Sequence, residues 1–544
     1  MSDGSESCRF ELPGVRGFHC SHVAEFEGLC IFHVPKRPDE CFATTPEKLA
    51  NVARDDLFSE RFSQLLDELA RQDPELWDFR GFSFPFSNIA GRVFPRAVAF
   101  DHAMFLDYAP FDCCRFETLA SFRHVEFCRG ANFNRAVFEG LALFENARFR
   151  VDPSRNPMAA LFHATEFKAD ADFEEAMFAT NAWFLGSVFF GVARFEKAVF
   201  RKDVEFVNAV FRGAARFIGG RGDIHGIETR CFEKRAVFHD LVLGSPGEVL
   251  FEGVDLGEAS FLGTDIKRVN FTDVTWHRRQ KLCGLLGPGR RSLADEFRLP
   301  PGEGYSDRDL GAELGGEIFT RHFEEGDMKL ARQRGLPHRK DTGPKDEAAR
   351  RREKRAHYYT KVKENYGQLV AGREIVRDYD AADDFHVGEM ETRRRIRLAE
   401  ARSPWRRFVR RFLDLGNFYR ILSRYGTSYI HALIWLLSLI LVFGFLSLSA
   451  GIGPDANGPG GGAGMIRYGW RDWRVAARDP ARLVFDLGKA LTIPFSLVLD
   501  QETIYRVNDE WWWLVPFVQV PVLSVVLGLF TVALRHRFRR RSAF

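Results

Sequence analysis

The 544-residue chain lacks several features that would each have declared a class. Nine cysteines are too few and too scattered for a disulfide framework, which small secreted domains use in place of a large core. Charge of one sign is missing: 77 basic residues face 74 acidic ones, a net of +3, so no global field marks a nucleic-acid binder. No apolar run follows Met1-Ser2-Asp3-Gly4-Ser5-Glu6, so no signal peptide is expected, and the N-terminal bulk is expected in the cytoplasm. Catalytic signatures are missing too: no HExxH, no GxSxG, no dinucleotide fingerprint and no Walker loop. Gly287-Pro288-Gly289-Arg290-Arg291 is not followed by Gly-Lys-Ser/Thr and does not make a phosphate loop. An enzyme is therefore not expected. Tyrosine and tryptophan number only 11 and 10, whereas phenylalanine reaches 54.

Of those phenylalanines, 32 lie between Phe79 and Trp276, and they are evenly spaced. Phe111, Phe116, Phe122, Phe127, Phe133, Phe138, Phe144 and Phe149 alternate steps of five and six. The ladder resumes at Phe162 and runs the same way to Phe217, then closes on fives: Phe251, Leu256, Phe261, Ile266, Phe271, Trp276. An alanine often sits two positions earlier, as at Ala131, Ala136, Ala142 and Ala147. Steps of five and six walk around a helix, and odd steps change face on a long strand, so neither carries the pattern. A solenoid does: each unit forms one side of a coil, the phenylalanine and the earlier alanine point inward, and the chain turns. Four sides make a coil of about 20–22 residues, and some nine coils are expected.

This ladder resembles the pentapeptide-repeat family, in the variant that alternates five- and six-residue units. The resemblance implies a right-handed quadrilateral β-helix over 79–278. Some members mimic DNA and bind gyrase, but that needs a strongly acidic surface. Phe79–Trp276 carries 23 basic and 26 acidic residues, a net of 23 − 26 = −3, which argues against mimicry.

Residues 1–45 hold Cys8, Cys20, Cys30 and Cys41. Cys30-Ile31-Phe32-His33 is a C-x2-H element, and with Cys8 and Cys20 it offers three thiolates and an imidazole. That is a donor set for structural zinc, and a short segment without a core could use such a staple. The alternative is reduced thiols beside a packed histidine, with His19, His22 and Cys41 as competing ligands. Related pentapeptide-repeat membrane proteins begin with a similar Cys…Cys…CIFH element, so the resemblance implies the same four ligands. Residues 46–78 read as a helix capped by Thr44 and Glu47, with an apolar stripe at Leu49, Val52, Leu57, Phe62, Leu65, Leu66 and Leu69, expected to cover the open coil.

From 279 to 356 glycine, proline and charge dominate and a linker is expected, its basic run Arg350–Arg355 lying near anionic lipid. Residues 357–427 turn helical and resemble a hairpin stalk between pentapeptide repeats and membrane segments. The residues that carry this are Tyr366, Leu369, Tyr379, Ala382, Phe385, Gly388-Glu389-Met390-Glu391 and Tyr419–Gly426. Glu389 and Glu391, two apart, do not face each other on a helix and make no acid–base pair.

Residues 428–544 form the membrane domain. Tyr429–Ala450 and Trp512–Leu534 contain no Asp, Glu, Lys or Arg and are each long enough for a bilayer core. Arginines crowd both outer flanks, which places both termini in the cytoplasm of a multi-pass protein. Residues 483–499 read as a short re-entrant or interfacial helix. Span, short helix, span resembles a two-helix potassium-channel subunit, here without Thr-Val-Gly-Tyr-Gly, so no potassium filter follows. Pore candidates are Asp500 and Glu502 at a mouth and Gln519, Ser524 and Thr531 on the second span. The competing role for Gln519 and Ser524 is helix–helix hydrogen bonding.

The expectation is a bacterial inner-membrane protein. Its cytoplasmic β-helix binds an unidentified protein partner and is coupled to an oligomeric ion pore, a tetramer if channel-like. The alternative is a non-conducting, membrane-anchored interaction scaffold.

Overall fold

The computed structural model describes residues 7–541 apart from 35–45, 86–88, 151–157, 221–230, 245–248, 279–288, 299–343, 455–465, 469–479, 500–504 and the single positions Gly14, Arg16, Gly17, Glu27, Arg402, Leu413 and Trp512. The Thr44 cap, Cys41, Asp500 and Glu502 fall outside these residues. The chain divides into two compact units, Met1–Thr392 and Arg393–Phe544.

The first unit is a four-sided β-solenoid. Strands of two to four residues pair in parallel into four sheets of nine, seven, seven and six strands, one sheet per side. Nine levels on the longest side mean about eight full turns. Register is strict, with phenylalanine over phenylalanine and alanine over alanine: Phe138 pairs Phe116 and Phe167, and Ala142 pairs Ala120 and Ala171. A turn takes 22 residues along most of the rod where no insertion intervenes, 21 from Phe84 to Phe105 and 20 from Phe251 to Phe271.

Register turns the ladder into four columns of rings. Phe100, Phe122, Phe144, Phe173, Phe195 and Phe217 stack at 4.8–5.1 Å, within 9° of parallel. Adjacent columns meet edge to face, as Phe133 does against Phe122 at 5.4 Å and Phe144 at 5.3 Å. Both arrangements suit the ring quadrupole. The rings and the intervening alanines are fully buried, so large and small residues interdigitate into a dry core.

The alternation of five and six has a backbone cause. After Phe100, Ala103 N–H donates to the Phe100 carbonyl at 2.9 Å, and His102 between them has φ 59°. That is a tight turn of the type II kind, with a left-handed third residue. Cys113, His124, Arg135, Asn146, Ala164, Glu175, Lys197, Asn208 and Asp240 hold the same place, always within a five-residue step. Two opposite sides thus end in tight left-handed corners, and the other two use one residue more.

Both ends of the solenoid are covered. At the start, α1 (Pro46–Gln72) lays Phe58, Phe62 and Leu66 over the first coil. Phe58 meets Phe84 at 5.4 Å, and Phe62 meets Phe79 at 5.5 Å. The buried edge is thus the i, i+4, i+8 row through Phe58, a residue outside the predicted stripe.

At the far end lie α2 (Pro344–Ile375) and the first part of α3 (Tyr379–Ala399). The helices of the expected stalk also cover the last coil: α2 begins at Pro344, inside the stretch read as linker, and its polar side chains bond backbone groups of that coil. Asn365 donates to the Phe261 carbonyl at 2.7 Å, Gln368 accepts from Ile266 N–H at 2.8 Å, and Arg373 donates to the Phe271 carbonyl at 3.2 Å. Residues 289–298, also within the predicted linker, are wedged beneath this lid. Arg291–Ser292 pairs with His277–Arg278, and Arg290 forms a buried ion pair with Glu296. Tyr366 donates to Glu296 at 2.7 Å and accepts from Leu293 N–H at 2.9 Å. Burial first, then the Glu296 charge, push the Tyr366 phenol well up, so it keeps its proton and donates.

The second unit contains α4 (Pro404–Phe412), α5 (Leu415–Ser423), α6 (Tyr429–Ala450), α7 (Pro480–Leu499) and α8 (Val520–Arg541). A π-helical turn over Val515–Gln519, with Pro516 inside it and Pro521 just after it, leads into α8. Proline lacks the N–H that an α-helix needs, and the chain bonds i to i−5 instead, from Val520 N–H to the Val515 carbonyl. α6 packs on α8 through Leu436, Ile440, Phe443, Leu523 and Val526. α6 and α7 share a second cluster with the ribbon Ile452–Pro454/Tyr505–Val507. Tyr429–Ala450 and Val515–Arg535 are long and apolar enough to cross a membrane.

Candidate functional site

The segment 7–34 has little regular structure, and its shape comes from turns. Cys8 N–H donates to the His22 carbonyl at 3.0 Å and Arg9 N–H to Gly28 at 2.8 Å, which folds the two halves together. His33 N–H then closes a turn on the Cys30 carbonyl at 3.0 Å. This turn brings Cys30 Sγ and His33 Nδ1 to one side, 3.2 Å apart. Cys8 Sγ lies 3.6 Å from the same nitrogen, and Cys20 Sγ lies 3.9 Å from Cys30 Sγ. All four donor atoms fall within 4.8 Å of one another, and all four residues are buried.

These separations can be compared with what a metal requires. Tetrahedral zinc with bonds of about 2.3 Å to sulfur and 2.0–2.1 Å to nitrogen has edges of about 3.8 Å (S···S) and 3.6 Å (S···N). The observed 3.9, 3.6 and 3.2 Å bracket those edges. The buried quartet could hold a metal ion, and its donor chemistry suits zinc.

The surroundings prepare each donor. His33 Nε2 lies 3.0 Å from the Arg80 carbonyl, which can only accept, so Nε2 carries the hydrogen and Nδ1 presents its lone pair to the sulfurs. The imidazole is clamped by Phe10, stacked at 4.0 Å, and by the edge contact of Phe82 at 5.3 Å. Cys8 Sγ accepts from Cys30 N–H at 3.2 Å. The Cys20 thiol is held well below its usual range, chiefly by the hydrogen bond from Cys30 and further by His22. Cys30 is pushed up by that same bond and by burial. The pair shares a proton, with Cys20 as the thiolate.

Of the competing ligands, His19 is exposed and apart, and His22 Nδ1 touches only Cys20 Sγ, at 3.3 Å. The quartet is also part of the solenoid's first end. Phe32 carbonyl accepts from Ser83 N–H at 2.8 Å, and Phe32 stacks on Phe82 at 4.6 Å. The Arg80 carbonyl, a backbone group, carried no signal in the sequence.

In the second unit, Gln519 is fully buried at the π-turn, and its Nε2 donates to Ser447 Oγ of α6 at 3.1 Å. Ser524 and Thr531 are exposed on α8, and Thr531 bonds back to the Leu527 carbonyl at 2.9 Å. The polar pore candidates that are described therefore do not converge within one chain.

The chain matches no family model, no curated protein and no solved structure.

Proposed function

We propose that this chain is a membrane-anchored interaction scaffold of the pentapeptide-repeat class in a bacterial inner membrane, with both termini cytoplasmic and a zinc-stapled N-terminal end. The observation that carries this reading is the joining, in one chain, of a solenoid closed at both ends and two apolar helices long enough to span a bilayer. The solenoid spends its aromatic residues on its interior. Outside, its rungs carry complementary ions, such as Arg115–Glu139 at 2.8 Å, Arg123–Glu145 at 2.8 Å and Lys197–Glu175 at 2.8 Å. Each such pair is worth little to stability, and a regular lattice of them offers a flat, polar surface to a protein partner. Four facing donors with a fixed imidazole support zinc in a structural role. The ligand set is closed, with no position left for substrate.

A second reading is an oligomeric two-helix pore, with Asp500, Glu502, Gln519, Ser524 and Thr531 as pore candidates. It is favoured by one observation: α7 lies between the spans in sequence and packs against both. Single-channel recording of the full chain in planar bilayers, beside a version ending before Thr427, separates the two. The scaffold reading expects silent bilayers with carbonate-resistant protein. Discrete steps that vanish with the truncation, and change with Gln519→Leu or Ser524→Ala, would replace it with the pore.

A further inference from the structure

The helix α4 has a use that neither reading assigns. It reads Pro404-Trp405-Arg406-Arg407-Phe408-Val409-Arg410-Arg411-Phe412. At 3.6 residues per turn, its four arginines fall in one arc of about 140° and its four large apolar residues in the opposite arc of about 100°. A soluble helix of this kind buries its apolar side. Here Trp405 is 70% exposed and Phe408 49% exposed, and their rings stack on each other at 5.7 Å. The next helix, α5, continues the theme with Phe418 and Ile421 exposed.

We propose that α4 lies in the headgroup layer of an anionic bilayer, with Trp405 and Phe408 in the acyl boundary and Arg406 and Arg411, at the two edges of the arginine arc, against lipid phosphates, while Arg410 donates to the Arg397 carbonyl at 2.6 Å. Three observations select lipid as the occupant. First, the apolar arc is narrow and flanked by guanidiniums, which pair bidentately with phosphate; a helix buried in protein would not line both edges of its apolar face with cations. Second, α4 stands one short helix before the first membrane-length helix, Tyr429–Ala450, so its distance from a bilayer surface is limited by the nine residues of α5 and a corner. Third, that corner is fixed: Arg424, Tyr425 and Gly426 have φ of 51°, 59° and 79°, and α5 is pinned by the Asp414 cap and the Arg397–Asp414 pair at 3.0 Å. The chain therefore enters α6 through a rigid bend. The inference rests on the membrane reading above.

The test uses the full chain reconstituted in two vesicle types, phosphatidylcholine alone and phosphatidylcholine with about one-fifth phosphatidylglycerol. Carbonate washing first establishes that the spans hold the chain in both; loss of the chain at this step would overturn the membrane reading itself. Trypsin is then added, and cleavage after Arg406 and Arg410 is followed by mass spectrometry on chains whose solenoid faces out. The expected result is about tenfold or more slower cleavage in the anionic vesicles, reversed by high salt. A W405S/F408S variant keeps every cleavage site and every charge, and should lose most of that protection. Equal cleavage of the wild-type chain in both vesicle types would overturn the proposal, and so would full protection in the W405S/F408S variant.

Discussion

Removing the metal from the N-terminal quartet should open one end of the solenoid and leave the rest intact. The perturbation is a zinc chelator, or Cys30→Ser, which deletes the sulfur nearest His33 Nδ1. The segment 7–34 has only a small core of its own, Leu12, Ile31 and Phe32 beside the cysteines. Exposing Phe32 and Phe82 as it lifts off costs about 3–6 kcal/mol, at 1.5–3 kcal/mol per large apolar side chain. A ligand present at about a thousandfold over its dissociation constant adds about 4 kcal/mol to the closed state. The two terms are comparable, so without metal the end should open about a thousandfold more often. Hydrogen exchange reads this at Ser83, whose N–H is held by the Phe32 carbonyl. Its exchange should accelerate by about that factor, while amides near Phe144 do not change, because coils couple only to their neighbours. Metal analysis should find one zinc per chain, lost in Cys30→Ser and kept in Cys113→Ser, whose thiol is exposed and remote. The reasoning fails if chelation leaves Ser83 exchange unchanged or if the zinc-supplied protein purifies without metal.

Phe144→Ala should cost about 3–5 kcal/mol in chemical denaturation, since the ring is fully buried between Phe122 and Phe173 at 4.9 and 4.8 Å and the columns cannot collapse sideways. Ala164→Gly should stabilise the solenoid by about 0.5–1 kcal/mol in the same assay; Ala164 is exposed and has φ 52°, a conformation costly to any residue with a Cβ. Asn365→Ala removes one of two donors to the Phe261 carbonyl, which keeps Thr264 N–H at 3.1 Å, and should cost about 0.5–1.5 kcal/mol, with exchange rising at the last coil alone. Gln519→Leu removes only a helix–helix hydrogen bond, so span association in detergent should weaken by about 0.6 kcal/mol; a loss several times larger would mean that Gln519 has a further role.

The solenoid was legible because one residue type marks every side, and a ring that must face inward reports its own register. The corners were not. His102, Cys113, Glu175 and Lys197 share a left-handed backbone but no side-chain chemistry, so nothing in their identities announces the turn. The donors of the metal quartet stood out through the scarcity of cysteine. The C-x2-H spacing pointed to His33 rather than His22, but the backbone carbonyl of Arg80 that fixes the His33 ring is not encoded in residue types. That the stalk helices cover the last coil was not legible, for a related reason. Tyr358, Asn365 and Tyr366 show helical spacing, but spacing alone does not name the surface they meet; their partners are groups on Asp295, Phe261 and Glu296, at least 63 residues away in sequence. The spans were legible from length and lack of charge, and the buried pairing of Gln519 with Ser447 from neither.

Strict register makes the solenoid a ruler with fixed graduations. Ala171 sits over Ala193 and Phe178 over Phe200, so excising residues 171–192 joins Asp170 to Ala193 with every column still in line. The two closed ends then approach each other by one strand spacing, about 4.8 Å, and keep their mutual orientation. Excising a single side of five or six residues instead would rotate everything downstream by about a quarter turn, moving α2 to a different side of the rod. Gain and loss of whole turns is therefore a silent way to set the distance between the stapled end and the lid, and gain or loss of single sides is a way to re-aim it. A partner that bridges several levels would sense the first change as a shift in spacing and the second as a change of face.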